Sequence, residues 1–475
     1  MSCPAGPEGV LGAVRAALAR QDATGWLVGG AVRDRLLDRD TQDVDVAVRG
    51  DPRALAAEVA RVLGAHRFAL SEQFGAWRVI ARRGGWQLDI TPLLGATIEQ
   101  DLARRDLTIN AIAQPLDGGE PLDPFGGLCD LRARRLRMVA GDAFASDPLR
   151  LLRLARLHAE LGFEIEARTE AAARAAASGL GTVAAERKFA ELARIVGGER
   201  PLEGLRAAES LGAIAVVLPE LCALRGVGQS RFHHLDVHDH TLEVLAHTVA
   251  LQRDPEALFP RLGEAVGALL GEPLAGGLTR GVALRFGALL HDIAKPQTRG
   301  LTPDGRVTFL AHDEQGAELA RAILRRLRAG ERLAAHVAAL ARHHLRLGFM
   351  VHDAPPDRRA IYRYLKSCGS VGADVTLLSV ADRLATGGDG AEQAIPRHLK
   401  LAQTVLGAAL EWRRQPPRPP VSGERLAQAL QLRPGPRLGE LLAELEEATY
   451  AGTLAGPDEA IELARTLLAA RPGSR

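Results

Sequence analysis

Asp43 and Asp45 stand one residue apart in the run DVDVAV, inside the stretch GGAVRDRLLDRDTQDVDVAV that spans residues 29–48. Alternation with Val44 and Val46 is a strand period, which sends both carboxylates to one face. Like charges side by side on a strand repel, so the pair calls for a counterion, and a divalent cation is the usual one. Magnesium takes carboxylate oxygens and keeps several waters, so two close aspartates suffice as its protein anchors. Gly29 and Gly30 let backbone N–H groups approach a phosphate at the start of a helix-like segment. Arg33, on that segment, carries a fork suited to a phosphate oxygen. This set of residues suits in-line displacement at a phosphate, served by two Mg²⁺ ions about 3.5–4 Å apart.

A second constellation is built from imidazole and carboxylate. His240 comes first, then His291-Asp292 in LLHDIAK, then Asp382 in VADRLAT, with His312 and His344 lying between as further possible ligands. Mixed imidazole and carboxylate donors suit Mn²⁺, Ni²⁺, Zn²⁺ or Fe²⁺ better than Mg²⁺ alone. His233, His234 and His238 read as structural or RNA-adjacent.

The first set of motifs resembles the polymerase-β-type nucleotidyltransferases, and more narrowly the class II tRNA nucleotidyltransferases and bacterial poly(A) polymerases. Gly29-Gly30, Arg33-Asp34 and Asp43-x-Asp45 resemble that family's signature. RRDLTINAIA (104–113), DPFGGLCDLRARRLRMV (123–139), DPLRLLRLARLHAELGFEIE (147–166) and AERKFAEL (185–192) follow in the family's order. The resemblance implies template-independent addition of a nucleotide to an RNA 3′-hydroxyl, with tRNA, CTP and ATP as partners and pyrophosphate released. It implies that Asp106 and Asn110 hold the ribose while Arg104 and Arg105 hold phosphate. It further implies that Asp147 and Arg150, expected one helical turn apart, read the incoming base, with Arg153 extending that face. Ser146 stands where the family usually has a glutamate beside this pair. Asp89, between Leu88 and Ile90, is the possible third carboxylate. Only ITPLLGATIEQDLA separates it from Arg104, without the longer charged segment of full CCA-adding relatives, and this resembles the CC-adding subgroup. Complete CCA addition and A-only addition stay open.

The histidine set resembles the HD phosphohydrolase superfamily. That resemblance implies a divalent metal, such as Mn²⁺ or Ni²⁺, held by His240, His291, Asp292 and Asp382. Water activated there would attack a phosphoester, with Asp292 as bridge or orienting base. The implied second activity is that of a 2′,3′-cyclic phosphodiesterase or phosphatase acting on tRNA ends. A poly(A) polymerase is the rival of the same chemistry. A metal phosphohydrolase whose N-terminal part only binds RNA is the rival of another class.

These groups need a scaffold. WLVGG, VDVAV, WRVIARR and WQLDIT read as strands between helices, giving a small, largely antiparallel α/β domain to residue 140. From Asp147 onward Leu and Ala recur at helical spacing. The expected class is therefore α+β: a nucleotidyltransferase domain (1–140), a helical neck (141–225), an HD-like helical domain (226–395) and a helical tail (396–475) after the proline-rich RRQPPRPPVSG. The stretch 253–281 reads as a loop around a short helix. For 475 residues the prior is about three domains. Hydrophobic content of 47% and charged content of 25% are those of a soluble globular protein. No run is apolar enough for a bilayer and the N-terminus lacks a secretory pattern. Scattered Cys3, Cys129, Cys222 and Cys368 fit a reducing cytoplasm. The net charge of +2 announces no partner by itself. Lysine occurs only at positions 188, 295, 366 and 400, so arginine supplies nearly all positive charge. It clusters at 131–137, 150–156 and 321–328, where phosphate contact and a solvated helix face are equally open.

Overall fold

The computed structural model describes residues 6–71, 75–82, 84–229, 234–351, 355–387 and 390–470; Cys3 and His233 lie outside them. The chain divides into two compact units, Met1–Val216 and Val217–Arg475.

The first unit is organised by a six-stranded sheet. Its strands are β1 (Thr24–Val28), β2 (Asp43–Arg49), β3 (His66–Ser71), β4 (Ala76–Ile80), β5 (Gln87–Pro92) and β6 (Ala113–Pro115), in the order β3-β4-β5-β2-β1-β6. The sheet is mixed: β2 and β5 run parallel and the other pairs antiparallel. The sheet is thus largely antiparallel, as expected, and its one parallel pair arises because a helix and the β3–β4 hairpin intervene, returning the chain in the same direction. Strand alternation decides the faces. Val44, Val46, Leu88, Ile90 and Val79 are buried, beneath a helix layer formed by α1 (Pro7–Arg20) and α3 (Pro52–Leu63). Between these comes α2 (Gly30–Leu36), which follows the glycine turn. Asp51 caps α3 by accepting from Arg53 N, Pro52 sits where no N–H is needed, and Gly64 ends it at φ 60°.

Beyond the sheet come α4 (Ile98–Leu102), α5 (Gly127–Arg132), α6 (Ala143–Ser146) and α7 (Arg150–Leu161). They are followed by α8 (Ala167–Ala175), α9 (Ala185–Gly197) and α10 (Pro201–Ser210). α7 buries Leu151, Leu152, Leu154 and Leu157 and packs against α9 and α10.

In the second unit four helices, Val237–Arg253, Arg280–Leu290, Glu331–His343 and Gly372–Leu384, pack on one another. Buried Asp374 on the last is bonded to Arg280, and His336 lies 3.5 Å away. The stretch expected as a loop around one short helix holds two helices, Pro255–Leu258 and Gly263–Gly271, and a small ribbon pairing Pro273–Ala275 with Leu278–Thr279. The helix Ala391–Arg414 ends at the proline-rich segment, after which Gly423–Leu430, Pro436–Ala451 and Pro457–Ala470 share a core of Leu426, Leu441, Leu445, Ala460 and Ala464. Among the described residues no helix is long and apolar enough to cross a membrane.

Candidate functional site

A cleft of about 760 Å³ opens in the first unit, and its wall includes Gly29, Gly30, Arg33, Asp43, Asp45, Arg104, Asp106, Asn110, Asp147, Arg150 and Arg153. Each of these comes from a motif read in the sequence, and the sheet order explains the assembly. β2 lies centrally with β1 on one side and β5 on the other, so the turn after β1 and the carboxylates of β2 meet at one edge of the cleft. Gly29 adopts φ 69° and ψ −138°, a conformation that L side chains rarely take. A Cβ there would fall 2.9 Å from an Arg105 guanidinium nitrogen and 3.5 Å from Asp45 Oδ2. Backbone, cation and carboxylate thus converge at a gap only glycine leaves open.

Asp45 is the half-buried member of the pair and Asp43 the exposed one. Burial, followed by the neighbouring Asp89 charge, pushes the Asp45 carboxyl up to about 6. A half-buried carboxylate crowded by other carboxylates is what a divalent cation relieves, so this donor set fits magnesium. Asp89 stands beside Asp45 in the parallel register, yet Arg78 holds it through two hydrogen bonds of 2.6 and 2.7 Å. It is absent from the cleft wall, with both oxygens engaged by Arg78.

A polar chain runs along the cleft floor. Arg33 donates to both Asp34 oxygens, at 2.9 and 2.8 Å, and to Asn110 Oδ1 at 2.8 Å. Asn110 donates to Asp106 Oδ1 at 2.9 Å, and Asp106 Oδ2 lies 3.3 Å from Arg153 Nε. Burial alone would raise the Asp106 pKa, but the Arg153 charge and the Asn110 and Leu107 hydrogen bonds outweigh it and hold it at about 2. Arg33 is therefore largely committed to Asp34 and Asn110. Arg104 is exposed at the rim, while Arg105 pairs with buried Asp101 at 3.1 Å.

The Asp147–Arg150 pair differs from expectation. Asp147 is extended, at φ −144° and ψ 93°, and α7 begins only at Arg150. Pro148 is the cause, because a residue before proline is pushed out of the helical region. Asp147 accepts from Arg187 at 3.2 Å. Arg150 turns its guanidinium onto the carbonyl oxygens of Arg104 (2.5 Å) and Ala143 (3.0 Å).

Sequence reading missed several participants. Arg156 lies one turn beyond Arg153, is buried, and bonds Glu191 at 2.8 Å and Glu160 at 2.6 Å. Its three-residue spacing after Arg150 and Arg153 was a visible signal. Asp130 is fully buried and accepts from Thr108, Arg135 and Arg137 at 2.6, 2.8 and 2.8 Å. The DPFGGLCD motif therefore braces the Thr108–Asn110 turn from behind and does not line the cleft.

The second unit gathers the histidine set. Ligand atoms of His240, His291 and Asp382 lie within 4.8 Å of one another, as do those of Asp292, His312 and His344. Asp292 joins the groups: its Oδ2 is 3.1 Å from His291 Nε2, and its Oδ1 is 3.4 Å from His312 Nε2 and 3.7 Å from His344 Nε2. His240 Nε2 sits 3.0 Å from Asp382 Oδ1. Nδ1 of His291, His312 and His344 faces the carbonyls of Ala288, Phe309 and Ala341 at 2.9, 2.7 and 2.6 Å. Those contacts fix the tautomer that leaves Nε2 as a ligand. Burial, reinforced by the His291 charge, holds His344 down at about 4 and hence neutral. Asp292 Oδ1 and His312 Nε2 are buried and make no hydrogen bond among the described residues. Orphaned, convergent donors of this kind fit a divalent transition metal. Lys295, not anticipated, bonds Asp292 Oδ2 at 2.6 Å and Gln229 at 2.7 Å. His238 is buried beside Asp239 and belongs to neither group.

Comparison with known proteins gives three family matches: Poly A polymerase head domain over residues 25–94 and 87–137, Probable RNA and SrmB-binding site of polymerase A over 162–224, and HD domain over 237–387. The chain is 36% identical to the A-adding tRNA nucleotidyltransferase of Deinococcus radiodurans, over 94% of this chain and 96% of that one. It is 38% identical to the CC-adding tRNA nucleotidyltransferase of Thermus thermophilus, over 91% of each. The fold is similar to that of a CCA-adding enzyme in its apo form, with TM-score 0.66, 20% identity, and coverage of 98% of this chain and 96% of that one. It is also similar to the Thermotoga maritima CCA-adding enzyme complexed with tRNA, with TM-score 0.60, 20% identity and coverage of 98% and 97%.

Proposed function

Since the chain belongs to the tRNA nucleotidyltransferase family, we propose that it adds CMP residues, as a CC pair, to tRNA 3′ ends. The observation that carries the CC reading is the connection between β5 and α4, only residues 93–97. Leu94 N donates to Asp101 Oδ1 and Ala96 N to Gln100 Oε1, at 3.0 and 2.8 Å. This strap already forms part of the cleft wall at Leu94, and it is too short and too well tied to rearrange when the incoming base changes. The similarity to an A-adding relative keeps A-only addition as the second reading.

In this reading Asp43 and Asp45 hold magnesium, which supplies activation of the 3′-hydroxyl and charge neutralisation on the leaving pyrophosphate. Gly29 and Gly30 offer N–H groups to the triphosphate, and Arg104 and Arg105 add positive charge at the rim. Asp106 and Asn110 position the ribose. Asp147 accepts from an exocyclic amine and Arg150 donates to a ring nitrogen or carbonyl, so a base with that donor–acceptor edge is retained. Residues 1–140 carry the chemistry and 141–225 the base selection. Residues 226–395 act as a phosphohydrolase in which His240, His291, Asp292 and Asp382, extended by His312 and His344, hold a metal such as Mn²⁺ or Ni²⁺.

The test offers tRNA lacking CCA, and tRNA ending in CC, with CTP and ATP separately. Two CMP additions on the first and no AMP addition on the second are expected. AMP added to the CC-ended tRNA overturns CC specificity, and long ATP-derived tails indicate a poly(A) polymerase. Asp43→Ala with Asp45→Ala should abolish addition and spare hydrolysis of a 2′,3′-cyclic phosphate; His291→Ala should do the reverse.

A further inference from the structure

Strand order and register place one cross-strand row on the face of the sheet opposite the helix layer. Asp45 is registered with Asp89, Asp89 with Arg78, and Arg78 with Phe68. Directly paired residues share a face, and the Arg78–Asp89 bonds confirm it for the middle of the row. The row ends on β3, the edge strand, in which five of the six residues are exposed and the last is half-buried. Phe68 is 44% exposed there, and Leu70, at the irregularity between Ala69 and Ser71, is also 44% exposed. Single exposed apolar residues are ordinary. An exposed aromatic ring in the same row as the cleft carboxylate is a different matter.

We propose that this face, half-buried at Asp89 and Arg78 and exposed at Phe68, seats the 3′-terminal nucleotides of the RNA substrate, with a base stacked on the Phe68 ring. The inference rests on the nucleotidyltransfer reading above. Its occupant follows from in-line geometry, in which the attacking oxygen and the leaving group lie on opposite sides of the transferred phosphorus. The glycine turn that receives the triphosphate follows β1, on one side of β2. The attacking 3′-hydroxyl therefore approaches from the other side, over β5, and the RNA behind it runs on across β4 to β3. Three strand spacings of about 4.8 Å make roughly 14 Å from Asp45 to Phe68. At about 3.4 Å per stacked nucleotide, the base on Phe68 is no more than about four positions from the reacting end. Arg78 meets Asp89 through Nε and Nη2, and among the described residues its Nη1 makes no hydrogen bond, which leaves a donor for a backbone phosphate along that path. Stacking on an aromatic ring accepts any base, which suits a strand whose sequence varies between substrates.

The experiment uses the full chain with tRNA transcripts carrying 2-aminopurine at each of the last four positions in turn. Quenching on binding is expected at one of those positions in the wild type, lost in Phe68→Ala and kept in Phe68→Trp. Phe68→Ala should raise KM for tRNA about 5- to 150-fold, the loss of one stacked base, with KM for CTP unchanged. Equal quenching and equal KM for tRNA in wild type and Phe68→Ala overturn the inference. So does a fall in the mass of the free protein by light scattering in Phe68→Ala with RNA affinity unchanged, which would make β3 a contact for a second copy. If the wild type itself adds no nucleotide in this assay, the nucleotidyltransfer reading has failed first; if it adds and Phe68→Ala matches it, only the seating of RNA is wrong.

Discussion

Gly29 shows how a single residue joins conformation to chemistry. Its positive φ and the nearness of Arg105 and Asp45 leave no room for a side chain. Gly29→Ala would add about 1–3 kcal/mol of backbone strain and press a methyl group against Arg105 and Asp45, which the proposed function assigns to the nucleotide and its metal. The expected result is a rise of at least about tenfold in KM for CTP, with a lowered melting temperature, measured by steady-state kinetics and thermal denaturation. Asp106 makes a second prediction. Its folded pKa of about 2 lies below the ordinary carboxylate value, so the ionised form is favoured by folding. That stability is fully present above about pH 4 and is lost as pH falls towards 2. Asp106→Asn should therefore cost about 2 kcal/mol near neutrality and flatten the acid limb of the stability–pH profile between about pH 4 and 2, read by urea titration. Both residues were legible in the sequence because each carries its chemistry in a recognisable neighbourhood.

Elements were legible where period and punctuation agreed. β2 follows from strict alternation, and α3 from its Asp-Pro start and Gly64 end. β3 was missed because an edge strand with little burial has no apolar alternation to show, and β6 because it is only three residues long. The apolar period around Asp147 predicts a helix there, but the constraint from Pro148 is the stronger local signal and keeps it extended. The third motif was readable as a family feature but not as a brace, since only packing reveals what it supports. That brace yields a prediction. Gly127 on α5 lies so close to the Thr108 turn that a Cβ would fall 2.2 Å from the Thr108 carbonyl oxygen. Backbone cannot yield as a flexible side chain would, so Gly127→Ala must displace either α5 or the turn that carries Asn110. Overpacking of this kind costs about 1–3 kcal/mol. Nucleotide addition should fall alongside stability, and Asp130→Asn, which loosens the same turn without adding volume, should lower addition as well. Full activity in Gly127→Ala would show that the turn is not held from behind.

Across the molecule, two donor sets suited to different metal chemistries lie in different units. The first unit offers carboxylates, one half-buried and one exposed, suited to an ion that exchanges freely and keeps its waters. The second offers imidazole nitrogens locked by carbonyls around Asp292, suited to an ion retained through purification. Metal retention should therefore separate the two sites without reference to activity. Protein purified without chelator should carry about one to two transition-metal ions per chain by elemental analysis, and Asp292→Asn should carry less than about a tenth of that. The asparagine keeps the volume of the buried side chain, so circular dichroism should show an intact helical unit. Addition of CMP in Mg²⁺ should stay within about twofold of wild type in that variant, because no carboxylate of the cleft is touched. Asp43→Asn with Asp45→Asn should show the opposite pattern, with transition metal retained and addition lost. If the Asp292 variant keeps its full metal content, the histidine groups are a buried polar network satisfied by one another, and the phosphohydrolase reading of the second unit falls while the cleft chemistry stands.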